Sequence, residues 1–314
     1  MHAHGWGTGS VLKISIWLML ALALAEGVAG YLINSLALLS DAGHNFTDSL
    51  ALVLAWFAFY LQSKPPTESK TYGYHRAGVL AAFVNALLLV ALALYIFYEA
   101  YERLRFPQEV NAKWMMLVAG FGFLVDAGVS LALLRRIKGD VNIRTAFLHT
   151  AWDAVSTAAI VVGGWMIQRT GIWQIDPLLG FLIGGLILWS SVDIIRETLN
   201  ILLEGLPRGL KLDRVVEAML RVPGVEEVHD VHVWSLGSNV HALSCHVTIA
   251  DIPPSESSEI LRRLNEVVDQ EFHIGHTTIQ FEHAVCDTTQ TCYDAAAENT
   301  LSRKKDLKTS EPRQ

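Results

Sequence analysis

Between residues 77 and 98 the chain reads Ala77-Gly78-Val79-Leu80-Ala81-Ala82-Phe83-Val84-Asn85-Ala86-Leu87-Leu88-Leu89-Val90-Ala91-Leu92-Ala93-Leu94-Tyr95-Ile96-Phe97-Tyr98, without a charged side chain from end to end. A helix needs about 20 mostly apolar residues to cross the hydrocarbon core of a bilayer, and this run supplies them. Comparable runs lie on either side, which predicts six spans at roughly 11–33, 37–61, 77–99, 114–134, 145–168 and 178–199. Turn and charge residues separate them, for example Gln62-Ser63-Lys64-Pro65-Pro66, Arg135-Arg136-Ile137-Lys138-Gly139-Asp140 and Thr170-Gly171-Ile172-Trp173. The first run follows Lys13 and contains Ala23-Leu24-Ala25, as a secretory signal would. It stays apolar past Glu26 to Ile33, however, which is too long for a signal core and long enough to span.

Composition agrees with a bilayer setting. The 314 residues are 52% hydrophobic and 18% charged, below the charged share of about 25% in soluble globular chains. A net charge of -7 argues against nucleic-acid binding, which favours a basic face. Cys245, Cys286 and Cys292 lie outside the apolar runs, and an odd, irregularly spaced set does not build a disulfide framework; they read as reduced thiols.

An even number of spans puts both termini on one side. The loops after spans two and four carry Lys64, Lys70, Arg76, Arg135, Arg136, Lys138 and Arg144. Those after spans one, three and five carry only Arg103, Arg105, Lys113 and Arg169. Basic residues favour cytoplasmic loops, so a short N-terminus (1–10) and the C-terminal region are expected in the cytoplasm, flanking a membrane domain over 11–205. Leu206-Pro207-Arg208-Gly209 opens a second domain, over 206–290. Helical spacing fits Leu212 to Leu220, strand alternation fits Val225 to Leu236 and Val240 to Ile249 around Gly237-Ser238-Asn239, an amphipathic helix follows from Ser255 to Phe272, and Thr278 to His283 reads as a last strand. The fold class is therefore a polytopic α-helical membrane protein with a C-terminal α+β domain of ferredoxin-like type. Residues 291–314 offer no apolar face and are expected to be disordered.

Ionisable residues inside spans are costly and mark pathways or sites. Span two carries Asp41, His44 and Asp48, and span five carries His149 and Asp153. His44 with Asp48 and His149 with Asp153 are each four apart, so each pair shares a helix face one turn deep. Two imidazoles and two carboxylates suit a tetrahedral divalent metal such as zinc. Without a metal, the same groups would form an interhelical hydrogen-bond cluster. Asn45 and Asp41 flank the first pair, either orienting a ligand or lining the mouth of the site. Glu26, Asn85 and Asp126 are further polar groups within spans, fit for lining a water-filled cavity or for packing.

These residues, in Ser35-Leu36-Ala37-Leu38-Leu39-Ser40-Asp41-Ala42-Gly43-His44 with Asp48, Ala146-Phe147-Leu148-His149 with Asp153, and Asp176-Pro177, make the chain resemble the cation diffusion facilitators, over about Val11 to His283. The paired His-x-x-x-Asp motifs are similar to the zinc-transporting branch. The resemblance implies a homodimer that exports cytoplasmic Zn2+ in exchange for protons by alternating access, with transport ligands His44, Asp48, His149 and Asp153; the short loops and compact length suggest a bacterial inner membrane. It implies that Tyr72-Gly73-Tyr74-His75-Arg76 enters span three with Arg76 in a charge interlock, Glu204 being its partner. It also implies zinc ligands in the cytoplasmic domain at His229, His246 and His283, beside Asp230, for a structural or regulatory ion. The match is incomplete there: Val285 stands where some relatives carry an acid, with Cys286, Asp287 and Cys292 as substitutes, and 135–144 lacks the histidine-rich loop of many relatives. His2 and His4 are a weak replacement.

Protons and zinc compete for neutral imidazole and ionised carboxylate, and histidine titrates near cellular pH, so the four ligands themselves can couple the two fluxes. An enzyme is not expected: His-Glu-x-x-His is absent and four protein ligands leave no place for a catalytic water. A membrane-tethered zinc sensor, or an exporter taking cobalt, cadmium and nickel as well, are the alternatives.

Overall fold

The computed structural model describes residues 8–134, 141–237 and 240–283. Six long helices come first: α1 (Thr8–Ile33), α2 (Leu36–Gln62), α3 (Arg76–Arg105), α4 (Ala112–Leu134), α5 (Val141–Thr170) and α6 (Ile175–Leu202). Helices α3 to α6 are long and apolar enough to cross a membrane on length and composition alone. Asp41, His44, Asn45 and Asp48 dilute the apolar character of α2, and α1 has an apolar stretch over Met19–Ile33. The tail beyond 283, with Val285, Cys286, Asp287 and Cys292, lies outside the described residues, as do His2, His4 and the basic loop 135–140.

The chain forms two compact units, one of Met1–Tyr60 with Leu80–Arg196 and one of Leu61–Val79 with Glu197–Gln314. The first reverses the partition of a water-soluble protein. Trp17, Tyr31, Leu32, Phe59 and Trp189 are each at least 70% exposed, while Glu26 and Asp41 are 2% exposed and Asp176, Thr157 and Ser191 are fully buried. Apolar side chains turned outward with carboxyls turned inward are stable only where the surroundings are hydrocarbon. Close helix approach comes from small residues: on α3 the buried positions Ala86, Leu89, Ala93, Ile96 and Ala100 recur every three or four residues, with alanine at every seventh.

Helix α2 is anchored at its start from across the unit. Asn34 takes a left-handed conformation (φ 62°), and Ser35 Oγ accepts from Leu38 N at 3.2 Å as an N-cap. Asp176, in the first turn of α6, accepts from Ser35 Oγ and Leu36 N at 2.6 Å each and from Ala37 N at 3.3 Å. A carboxylate at a helix N-terminus satisfies donors that have no intrahelical partner and favours the helix dipole. The register of α2 against α6 is fixed here.

In the second unit, α7 (Leu212–Leu220), β1 (Val225–Gly237), β2 (Val240–Ile249), α8 (Pro254–Phe272) and β3 (His276–Glu282) follow α6. The sheet order is β1-β2-β3, with β1 and β2 antiparallel and β2 and β3 parallel through α8. This αββαβ order is a ferredoxin-like βαββαβ unit without its first strand, so β3 pairs directly with β2. The core joins Val215, Met219, Leu243, Cys245, Val247, Leu264 and Val268, so the helices cover the face of β2 that carries its odd-numbered residues. The other face carries Ser244, His246 and Thr248. Each element lies within two residues of its sequence-based limits.

The unit also takes in the segment between α2 and α3. Gln62 Nε2 donates to His75 O at 3.3 Å, the rings of Tyr72 and His276 meet edge to face with centroids 5.3 Å apart, and a Cβ at Gly237 would stand 3.0 Å from His75 O. A side chain at this position would have to push the carbonyl back by a few tenths of an ångström, and glycine lets the hairpin end approach without that shift.

Candidate transport site and cytoplasmic metal cluster

Because α2 and α5 are both helical through their His-x-x-x-Asp segments, His44 with Asp48 and His149 with Asp153 present side chains from successive turns of one face. The two faces meet. His149 Nε2 lies 2.9 Å from Asp48 Oδ2 and 3.7 Å from Asp153 Oδ2, and His44 Nε2 lies 3.5 Å from Asp153 Oδ1 and 3.7 Å from Asp48 Oδ2. Donor atoms bound tetrahedrally at about 2.0–2.2 Å stand about 3.3–3.6 Å apart, a spacing that these four edges bracket; across the ring it is wider, and no three of the four residues bring one donor atom each within 4.8 Å of one another, so the side chains must draw together to share one ion. The imidazoles are 6.1 Å apart between centroids and nearly perpendicular, so contacts run alternately from imidazole to carboxylate around a ring. His44 Nδ1 is buried without a hydrogen-bond partner among the described residues, so its ring is oriented from the carboxylate side alone.

Further polar groups stand behind this ring. Asn45 Nδ2 donates to Glu26 Oε2 at 3.1 Å, tying α2 to α1, and Glu26 Oε1 lies 2.5 Å from where a Cβ on Gly122 of α4 would stand. Thr157, one turn beyond Asp153, has its hydroxyl 2.8 Å from Asp153 O, 3.2 Å from Asp126 Oδ2 and 3.4 Å from Asp41 Oδ2. Asp41 and Asp126, readable in sequence only as isolated polar residues, therefore share one contact. Thr157 carried no sequence signal, because a threonine in an apolar helix commonly bonds its own backbone.

On the open face of the cytoplasmic sheet His229 pairs with His246 across β1 and β2, and their rings lie 5.5 Å apart, edge to face. Glu282, at the end of β3, puts Oε2 3.2 Å from His229 Nε2 and Oε1 3.0 Å from His246 Nδ1. One ligand atom from each of these three residues lies within 4.8 Å of the others, the one such group among the described residues. Several of these atoms, including both nitrogens of His229 and Glu282 Oε2, are buried and make no hydrogen bond of acceptable geometry. Orphaned polar atoms facing one another are what a divalent metal satisfies. Asp230, at a bulge in β1 with φ 49°, reaches His232 Nε2 at 3.0 Å and lies 3.9 Å from His246 Nε2. His283 falls one residue past β3 and is exposed. The third group beside the two imidazoles is Glu282. Strand parity carries the signal: Ile279 and Phe281 pack on the core, so Gln280 and Glu282 face the other way.

Arg76 Nη2 donates to Glu204 Oε1 at 2.9 Å within one protomer, and both side chains are exposed. An exposed pair of this kind is worth about 0–1 kcal/mol.

Cys245 sits on the core side of β2 and is 1% exposed. Burial, and then the negative charge of Asp230, push its thiol up to about 12, so at pH 7 to 8 it stays protonated and neither ligates metal nor reacts. Iodoacetamide at pH 8 is expected to leave Cys245 unmodified in the folded protein and to alkylate it after denaturation, as peptide mass mapping would read. Rapid labelling of folded protein at this residue would overturn that expectation.

A family model of the cation efflux transmembrane domain matches residues 12–203, and one of the cation efflux protein cytoplasmic domain, a dimerisation domain, matches residues 207–284. The metal cation efflux system protein CzcD of Cupriavidus metallidurans is 36% identical over 286 residues, covering 91% of this chain and 90% of its own. A cadmium, cobalt and zinc/H(+)-K(+) antiporter of Bacillus subtilis is 35% identical over 90% of this chain and 91% of its own. The zinc transporter ZitB of Escherichia coli is 37% identical over 84% of each. Among solved structures, the metal-bound C-terminal domain of the Cupriavidus CzcD transporter is 37% identical, covering 23% of this chain and 99% of that domain, with a TM-score of 0.22.

Proposed function

Since the chain belongs to the cation efflux family of metal transporters, the cation diffusion facilitators, we propose that it is a homodimeric zinc exporter that exchanges cytoplasmic Zn2+ for protons by alternating access. The observation that carries this reading is the ring of His44, Asp48, His149 and Asp153, two imidazoles alternating with two carboxylates between α2 and α5 at 2.9–3.7 Å. Its oxygen and nitrogen donors suit zinc, and it holds no thiolate that would favour softer ions.

Each ligand binds metal only when deprotonated, so zinc and protons exclude one another at the ring. The site loads zinc while open to the cytoplasm, the helices rock, and protons arriving from the opposite side release the ion. The bias of basic residues toward the loops after spans two and four supports cytoplasmic termini, and the short loops and compact length favour a bacterial inner membrane. The Bacillus relative's name supports proton exchange and also a wider set of metals. In the cytoplasmic domain, His229, His246 and Glu282 hold a second, regulatory zinc. That cluster is the feature that favours a sensing role beside transport.

The test is zinc flux in proteoliposomes, read by an internal fluorescent indicator, with and without an imposed proton gradient and with cobalt, cadmium and nickel in parallel. Zinc flux that rises with a gradient of protons moving against it, and exceeds that of the other metals, is the expected outcome. Zinc binding without transmembrane flux would replace the exporter with a tethered sensor.

A further inference from the structure

Thr157 is fully buried on α5, four residues after Asp153, and three acceptors lie within reach of its hydroxyl. These are Asp153 O at 2.8 Å on its own helix, Asp126 Oδ2 at 3.2 Å on α4 and Asp41 Oδ2 at 3.4 Å on α2. A hydroxyl carries one hydrogen. The carbonyl of Asp153 sits in the helix ladder and already has the Thr157 backbone N–H in the i to i+4 position, so the hydroxyl is free to leave it. The carboxylates have less choice: among the described residues Thr157 is the one side chain that donates to Asp41 or to Asp126. A buried carboxylate without a donor is costly, so when both groups are ionised one hydrogen is contested by two helices.

We propose that Thr157 is a positioning residue for metal exchange, its hydroxyl alternating between Asp41 of α2 and Asp126 of α4 as the four-ligand ring closes and opens. Bonded to Asp41, it ties the helix that carries His149 and Asp153 to the helix that carries His44 and Asp48, and the ring is held together. Bonded to Asp126, it ties α5 to α4 and lets α2 go. Two packings that differ by one hydrogen bond are the kind of bistable element that conformational cycles use. Because Thr157 touches a backbone carbonyl and two carboxylates but none of the ligand side chains, it acts on the rate at which the ring opens, more than on the affinity of the closed ring.

This inference rests on the assignment of the ring as the transport site, and the experiment separates the two. Zinc flux is measured in proteoliposomes over a range of zinc concentrations for the native chain, Thr157→Val, Thr157→Ser, Asp126→Asn and Asp153→Ala, each checked for monodispersity. Valine keeps the volume and removes the hydroxyl; its maximal flux is expected to fall about tenfold with KM within about threefold of native, the scale of a lost supporting contact at a metal site. Serine is expected to restore most of the flux. Asp126→Asn gives that position a donor of its own, removes the contest, and is expected to slow turnover too; it carries the test if the valine variant does not fold. Native turnover in Thr157→Val or in Asp126→Asn, a serine variant as slow as valine, or a loss confined to KM would overturn the proposal. In each case an inactive Asp153→Ala leaves the ring assignment standing. Flux retained by Asp153→Ala would instead remove the ring from the transport pathway.

Discussion

Replacing His149 with alanine is expected to abolish zinc flux, lowering it by more than about a hundredfold. His149 Nε2 makes the shortest contact in the ring, 2.9 Å to Asp48, and also faces Asp153 at 3.7 Å. In the proposed transport site its loss would remove one of four ligands and leave Asp48 and Asp153 to share the ion with His44 alone. Even groups that only support a ligand from behind cost 10- to 100-fold when removed from metal sites, so loss of the ligand itself sets a larger effect. Alanine also leaves the carboxylates of α2 and α5 facing one another without the intervening imidazole, which pushes the helices apart. Flux read by an internal zinc indicator checks this, and undiminished flux would dissociate the ring from transport.

Asp176→Ala is expected to destabilise the membrane domain by about 3 kcal/mol, since a charge-assisted hydrogen bond contributes about 1.5–3 kcal/mol and buried donors left behind add their own cost. Asp176 is fully buried and takes bonds from Ser35 Oγ, Leu36 N and Ala37 N. Without it the first turn of α2 loses its cap, and the helix that carries His44 and Asp48 loses its tie to α6. Asp176→Asn keeps one oxygen acceptor, so a smaller loss is expected. The comparison is made by thermal unfolding in detergent, monitored by tryptophan fluorescence. A midpoint for Asp176→Ala within a degree or two of native would show that the tie carries little of the stability.

The long helices and the membrane ring are legible in the sequence because both follow from strict periods. A four-residue spacing puts two ligands on one helical face whatever else the helix touches, and an uncharged stretch of the length of 77–98 has few places to go but hydrocarbon. Glu282 is a different case. Its role depends on where β3 ends and on which face the core covers, and a limit displaced by one residue exchanges Glu282 for His283. The contest at Thr157 is less legible still, because it joins residues 41, 126 and 157 through the packing of three helices, which no local pattern encodes. The contacts of His75 and Tyr72 with the hairpin end and β3 are long-range for the same reason. The division of the chain near residue 206, natural from composition, leaves those two residues on the other side of the cut.

That tight fit of Gly237 against the His75 carbonyl bears on how the tail region should be handled in isolation. A fragment begun at residue 206 would strip Tyr72 and His75 from the sheet and leave a bare notch at the hairpin tip beside an uncovered His276. Self-association seen in that fragment and lost when residues 61–79 are restored would trace to the notch. Retaining residues 61–79 on a short tether would keep the notch filled and the quaternary behaviour faithful.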